Sequence, residues 1–223
     1  MTFSIIARCP ITGQFGAAVS SSSPAVAARC IRGRAGVGAV ASQNITDPDL
    51  GPMMLDQMAQ GATPTQAQAQ LMHRPHIHYR QLMAIDACSS PAVFTGERAL
   101  GSLASAAGEH AACAGNMLAS QEVPSSMLRT FEQSTGSLAE RLMLAMLAGQ
   151  AAGGEEGPVH SAGLLVYGNK QWPIVDLRMD WVEHDPVQAL YAAWKEYEPQ
   201  VQAYITRAED PTAAPSFGVP GDL

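Results

Sequence analysis

Apolar and polar positions fall into short runs along this chain, and turn-forming residues punctuate them. Residues 2–8 (TFSIIAR) and 15–21 (FGAAVSS) have strand character, with Pro10, Thr12 and Gly13 between them. This order predicts a hairpin. Residues 36–43 (GVGAVASQ) predict a strand of small side chains, which another backbone can approach closely. Met54, Leu55, Met58 and Ala59 stand at helical spacing across 51–60, and Gly61 ends the run. Thr63 and Pro64 open a second helix, because proline suits the first helical position. Residues 79–86 and 91–95 predict another hairpin, with shorter strands near 100–106 and 110–115. Helices follow from Pro124 to about Glu132 and over 137–150, the second with a broad apolar face built on Leu138, Leu142 and Leu147. Residues 151–157 (AAGGEEG) predict a flexible acidic loop. Strands return at 160–167 and 173–178, and Asp185-Pro186 opens a last amphipathic helix.

Strands therefore come in hairpins and helices in consecutive pairs. That order predicts an α+β fold with antiparallel sheets rather than alternating βαβ units. Strands apolar on both faces need cover on both sides. Two such sheets packed face to face with helices outside, a four-layer αββα sandwich, satisfy the pattern. No linker divides the chain, so residues 1–206 are expected to form one domain. Residues 207–223, rich in Pro, Gly, Ala and Asp, are expected to be a mobile tail.

Composition narrows the partners. The net charge of −7 argues against nucleic acid and anionic membrane surfaces, which call for a basic face. No apolar run approaches the ~18 residues of a membrane span, and no signal-like leader precedes Thr2. Cys9, Cys30, Cys88 and Cys113 are scattered without a CxxC pair, which suits reduced, mostly buried thiols. The expectation is a cytoplasmic protein.

The chemistry concentrates at the start. Methionine aminopeptidases remove Met1 when the next residue is as small as threonine. The matured chain would begin with Thr2, carrying a hydroxyl and a free α-amine of pKa ~7.7–8.0. A hydroxyl beside such a base is an activated nucleophile. A short turn at Thr12-Gly13 would pair Thr2 near Ser23, with a slip of one or two residues allowed, bringing the run Ser20-Ser21-Ser22-Ser23 beside the N-terminus. Ser21, Ser22 and Ser23 are thus candidates for substrate binding or for orienting Thr2. An acyl-transfer intermediate also needs hydrogen-bond donors. Asn116 is the first candidate, and Gln43-Asn44, closing the small-residue strand, the second. Glu97, Glu109, Glu155 and Glu156 read as polar-rim residues, and Asp176 with Arg178 as a structural ion pair. His76 and His78 would share a strand face in HRPHIH, but no carboxylate stands at a useful spacing, so no metal site is expected. GVGAV lacks the GxGxxG pattern of a nucleotide fingerprint.

Several segments carry a family resemblance: TFSIIARCPITGQFGAAVSSSSPAVAARC, RAGVGAVASQNITDPDLGP, AVFTGERAL, GNMLA at 115–119, LAERLMLAMLAGQAAGGE, HSAGLLV and PIVDLRMD. Together they resemble an uncharacterised bacterial family of Ntn-hydrolase-like proteins (domain of unknown function 1028). The resemblance runs nearly to the last helix. It implies the αββα sandwich, with Thr2 as both nucleophile and, through its own amine, base. Some members of that family carry a lysine where Ser22 stands. The only lysines here are Lys170 and Lys195, and neither stands at that position. The resulting expectation is an N-terminal-nucleophile amidohydrolase acting on a small amide, lactam, ureido compound or short peptide. It needs no cofactor and forms a homodimer. The alternative is a binding protein for a metabolite or peptidoglycan fragment that has lost catalysis on the same scaffold.

Overall fold

The computed structural model describes residues 1–216. Its strands are β1 (Thr2–Arg8), β2 (Phe15–Ser21), β3 (Ile31–Arg34), β4 (Gly38–Asn44), β5 (Arg80–Ile85), β6 (Ala92–Thr95), β7 (Ala104–Ala107), β8 (Ala111–Asn116), β9 (Ser161–Tyr167) and β10 (Val175–Met179). Its helices are α1 (Val26–Cys30), α2 (Leu50–Ala59), α3 (Pro64–Leu71), α4 (Val123–Gln133), α5 (Leu138–Ala151), α6 (Pro186–Tyr197) and α7 (Val201–Glu209). One six-stranded sheet runs β10-β9-β2-β1-β8-β7, and a four-stranded sheet runs β3-β4-β5-β6. All their pairings are antiparallel.

Three apolar layers hold the sheets and helices together. Side chains of a strand alternate between its faces. On β1, Phe3 and Ile5 point to a layer filled by Met127 and Phe131 of α4, Leu142 and Met146 of α5, and Leu190 and Trp194 of α6. Ile6 points the other way, to a layer shared with Val19, Ala41, Met83, Ile85 and Leu165. A third layer joins Val40, Leu82 and Ala84 to Leu50, Met54 and Leu55 of α2 and Leu71 of α3. Helices, sheet, sheet, helices: this is the αββα sandwich that the element order predicts. Each fully buried aliphatic side chain contributes about 1.5–3 kcal/mol, so the layers dominate the fold's stability.

Local chemistry sets the helix starts. Thr63 and Gln66 form a reciprocal capping box with Pro64 behind it. The Ser137 side chain accepts the Glu140 N–H at the head of α5. Gly16 lets α5 lie close, since a Cβ there would stand 2.6 Å from Leu142 Cδ1.

Some expectations need correction. The segment after the serine run folds as α1 and β3, neither of which has a periodic signal. His76 and His78 share no strand face: a 3-10 turn spans Ile77–Tyr79, His76 is left-handed, and β5 begins at Arg80. Helix α7 carries regular structure to Glu209, past the expected start of the tail. Residues 217–223 of that tail lie outside the described residues. Among the described residues no helix is long and apolar enough to cross a membrane. The four cysteines are free, with Cys30 and Cys113 buried.

Candidate active site

Strand register assembles the site. The β1–β2 hairpin pairs Phe3 with Ser20; continuing it sets Thr2 opposite Ser21 rather than Ser23. The connection from Cys9 to Gln14 is centred on Ile11-Thr12, one residue before Thr12-Gly13, which moves the partner of Thr2 back by two. On the other side Thr2 pairs with Asn116 of β8, and Ser21 pairs with Ser161 of β9. Asn116, Thr2, Ser21 and Ser161 therefore form one row across the sheet. Its parity is that of Ile6, so the row faces the second sheet. Thr2 is 4% exposed and the other three are fully buried.

A chain of hydroxyls runs from the row towards a positive charge. Thr2 Oγ1 hydrogen-bonds the Met1 carbonyl oxygen and lies 3.5 Å from Ser21 Oγ. Ser21 Oγ donates to the same carbonyl at 2.5 Å. Ser23 Oγ stands 2.9 Å from Ser21 Oγ, and the Arg29 guanidinium donates to Ser23 Oγ at 2.9 Å. Ser161 Oγ braces the strand exit by donating to Ser23 O at 2.6 Å. A carbonyl group is thus already held between the hydroxyls of Thr2 and Ser21.

Beneath the row, polar side chains join the two sheets. Gln43 and Gln81 face each other on β4 and β5, both fully buried. Ser4 Oγ donates to Gln43 Oε1 at 2.5 Å, and Gln43 Nε2 donates to Gln81 Oε1 and Ala114 O at 2.8 and 3.2 Å. Gln81 Nε2 donates to Thr95 Oγ1 and Gly115 O, both at 3.1 Å. Asn116 Nδ2 reaches Gln81 Oε1 at 3.3 Å, while its buried Oδ1 has no protein partner.

Glu155 closes the site from the α5–β9 connection. It is 6% exposed, which corrects its reading as a rim residue. The segment is stapled rather than loose: Glu155 bridges Leu118, Ala119 N donates to Gly154 O, and Glu156 N donates to Met117 O. Glu155 Oε2 accepts the Ser22 N–H at 3.2 Å, and Oε1 has no partner. Burial pushes its carboxyl up to about 7, with the Met1 ammonium and Ser22 acting against that shift.

The structure brings Thr2, Asn116, Ser21, Ser22 and Ser23 together around the N-terminus. Gln43 lies below the row with its amide already spent on the second sheet. Asn44 takes a left-handed conformation (φ 72°) and uses its side chain to hold Tyr79 O and Leu100 N. Neither amide aims at Thr2. Lys170 pairs with Glu209, and Lys195 with Glu140 and Glu198, on other elements. Asp176 and Arg178 do form an ion pair. A cavity of about 350 Å³ opens between Thr12, Lys170, Gln202 and Glu209. It sits at the far end of β2 from Thr2 and involves none of the row. Gln81 had one available signal: an amide at the parity of Met83 and Ile85 on an apolar strand. Ser161 and Glu155 had none, because long-range pairing alone brings them here.

The family model for a family of unknown function, DUF1028, matches residues 2–190. A crystal structure of a Silicibacter pomeroyi protein of that family is 30% identical, with a TM-score of 0.81, covering 88% of either chain. Thiobacillus denitrificans BPH in complex with epoxomicin is 11% identical with a TM-score of 0.41, over 76% of this chain and all of that one. Anbu (ancestral beta-subunit) from Yersinia bercovieri is 10% identical with a TM-score of 0.40, over 91% of this chain and 97% of that one. No curated protein matches the chain.

Proposed function

The chain belongs to the DUF1028 family, and from that premise we propose that it is an N-terminal-nucleophile amidohydrolase. One observation carries the reading: Thr2 heads β1 with its hydroxyl in a buried row between Ser21 and Asn116, where Ser21 Oγ also reaches the carbonyl of Met1. After removal of Met1, the Thr2 amine takes the proton of Oγ1 as the oxygen attacks an amide carbon. The C–N bond breaks, the ammonium returns that proton to the leaving amine, and an ester to Thr2 remains. Water, activated by the same amine, then releases the acid. Ser21 Oγ, which donates to the Met1 carbonyl, supports the developing oxyanion; Asn116 can add to it only through the Nδ2 hydrogen that Gln81 Oε1 does not take. Arg29 stabilises it electrostatically through Ser23. Gln43 and Asn44 then serve to hold Asn116 and the loop after β4 in place.

The reaction needs no cofactor or metal. Substrates are small amides, lactams, ureido compounds or short peptides. The test compares wild type with Thr2→Ala on a panel of such amides. Turnover by wild type, lost in the variant while its thermal melt is kept, supports the reading; equal turnover by both refutes it.

A second reading is a binding protein that no longer cleaves. It is favoured by the placement of both lysines on remote ion pairs. A ligand-induced thermal shift without turnover, unchanged in Thr2→Ala, would favour it over the first. We further propose one domain that includes α7, a cytoplasmic location, a homodimer, and no nucleic-acid partner. Light scattering that returns only monomer at micromolar concentration refutes the dimer.

A further inference from the structure

Met1 is held like a ligand at its carbonyl and along its side chain. Its carbonyl oxygen accepts from Ser21 Oγ and Thr2 Oγ1. Its thioether lies along the backbone of Gly157, where an added Cβ would stand 3.2 Å from Met1 Cε. Its ammonium is close enough to oppose the rise of the Glu155 pKa, but makes no ion pair with that carboxylate. That carboxylate is 6% exposed and stapled to Met117, Leu118 and Ala119 through its segment. One of its oxygens accepts Ser22 N–H; the other, Oε1, is buried without a hydrogen-bond partner.

All of these anchors belong to residues that stay behind when Met1 is removed. What remains is a space as large as one aminoacyl group. A carbonyl position lies at Thr2 and Ser21, a narrow lane runs along Gly157, and an unpaired carboxylate oxygen stands at the back. A buried carboxylate is costly unless a cation or hydrogen-bond donors meet it. A neutral or N-acylated acyl group would leave that cost unrelieved, whereas an ammonium would relieve it with a charge-assisted hydrogen bond.

We propose that the substrate is an amide whose acyl part carries a free α-amino group and an unbranched apolar side chain, and that Glu155 reads that ammonium. The inference rests on Thr2 as the nucleophile of the preceding reading. The bond broken is the aminoacyl C–N bond. Thr2 Oγ1 forms the aminoacyl ester, the leaving amine departs with the proton, and water yields the free amino acid. A rival arrangement has Glu155 pair only with the Thr2 ammonium; it would affect every substrate alike.

The experiment has a binding arm and a turnover arm. In the binding arm, calorimetry on Thr2→Ala compares methioninamide with N-acetylmethioninamide. Alanine is small enough for Met1 still to be removed, and intact mass verifies the removal. The expected result is at least about tenfold tighter binding of the free amine. Equal affinities, or no binding of either ligand, overturn the proposal without touching the role of Thr2. In the turnover arm, wild type and Glu155→Gln act on methionine p-nitroanilide and its N-acetyl form. The expected result is about a tenfold preference of wild type for the free amine, most of it lost in Glu155→Gln through KM. Equal losses on both substrates favour the rival arrangement and overturn the proposal. The two-ligand comparison involves no change at Glu155, so it holds even where Glu155→Gln fails to fold. Turnover that persists in Thr2→Ala counts against the nucleophile, not against the recognition of the amine.

Discussion

The layer between the sheets has two unlike ends. Towards the hairpin turn it is apolar: Ile6, Val19, Ala41, Met83, Ile85 and Leu165 fill it. Towards the N-terminus, on the same face of the same strands, it holds Thr2, Ser4, Ser21, Gln43, Gln81, Asn116 and Ser161, all buried. Strand β1 contains the whole transition, from Thr2 and Ser4 to Ile6, in one alternating row. The apolar end gains from removing hydrocarbon from water. The polar end only breaks even, and does so by pairing nearly every donor and acceptor. Asn116 Oδ1 and Glu155 Oε1, both left over, lie beside Thr2. Two unsatisfied acceptors at the end that holds Thr2, and none among the apolar side chains at the other, suit a site that takes a ligand.

This contrast can be broken by substitution, and the largest effect falls at the polar end. Thr2→Ala is expected to lower amide turnover by at least about 10³-fold, with the chemical denaturation midpoint nearly unchanged; steady-state assays and urea titration read both. Ile6→Ala, at the apolar end, should do the reverse. It costs about 2–5 kcal/mol of stability in urea unfolding and leaves turnover per folded molecule intact.

Glu155 sharpens the contrast through pH. Its carboxyl is raised from 4.5 to about 7 in the fold, so the folded chain keeps a proton that the unfolded chain gives up. Its contribution is therefore fully present below pH 4.5 and is lost as pH rises to about 7. The loss is up to about 3 kcal/mol. Thermal melts across that window should show the decline in wild type and a flatter profile in Glu155→Gln. The smallest effect is expected for Gln81→Leu, which strips the acceptor from Gln43 and Asn116. It should cost about 1–3 kcal/mol in urea unfolding and slow turnover by loosening Asn116.

The apolar end was the more legible in the sequence. The first hairpin, the β5–β6 hairpin, the capped helices and the αββα order follow from periodicity and turn residues, which act over a few positions. The register of the first hairpin was legible only approximately. Its connection spans Cys9 to Gln14 and centres one residue before Thr12-Gly13, and the exchange of Ser23 for Ser21 opposite Thr2 follows from that centre. Helix α1 and strand β3 left no trace because their residues are small or charged without a period. At the polar end, Thr2, the serine run and Asn116 could be named from residue type and position. Gln43 and Asn44 could be named too, but not what their amides bind, since those partners lie on other strands. Glu155 was hidden for a further reason. Gly153-Gly154-Glu155-Glu156-Gly157 has the composition of a solvated loop, and only its pairing with 117–119 buries it.

The central claim is that Thr2 becomes the first residue of the working protein and attacks through its own hydroxyl. Intact-mass and N-terminal peptide analysis of the protein purified from its native cell tests this most directly. The account predicts a chain lighter by one methionine residue, with a free amine on Thr2. A chain that retains Met1, or carries a blocked Thr2 amine, would contradict it.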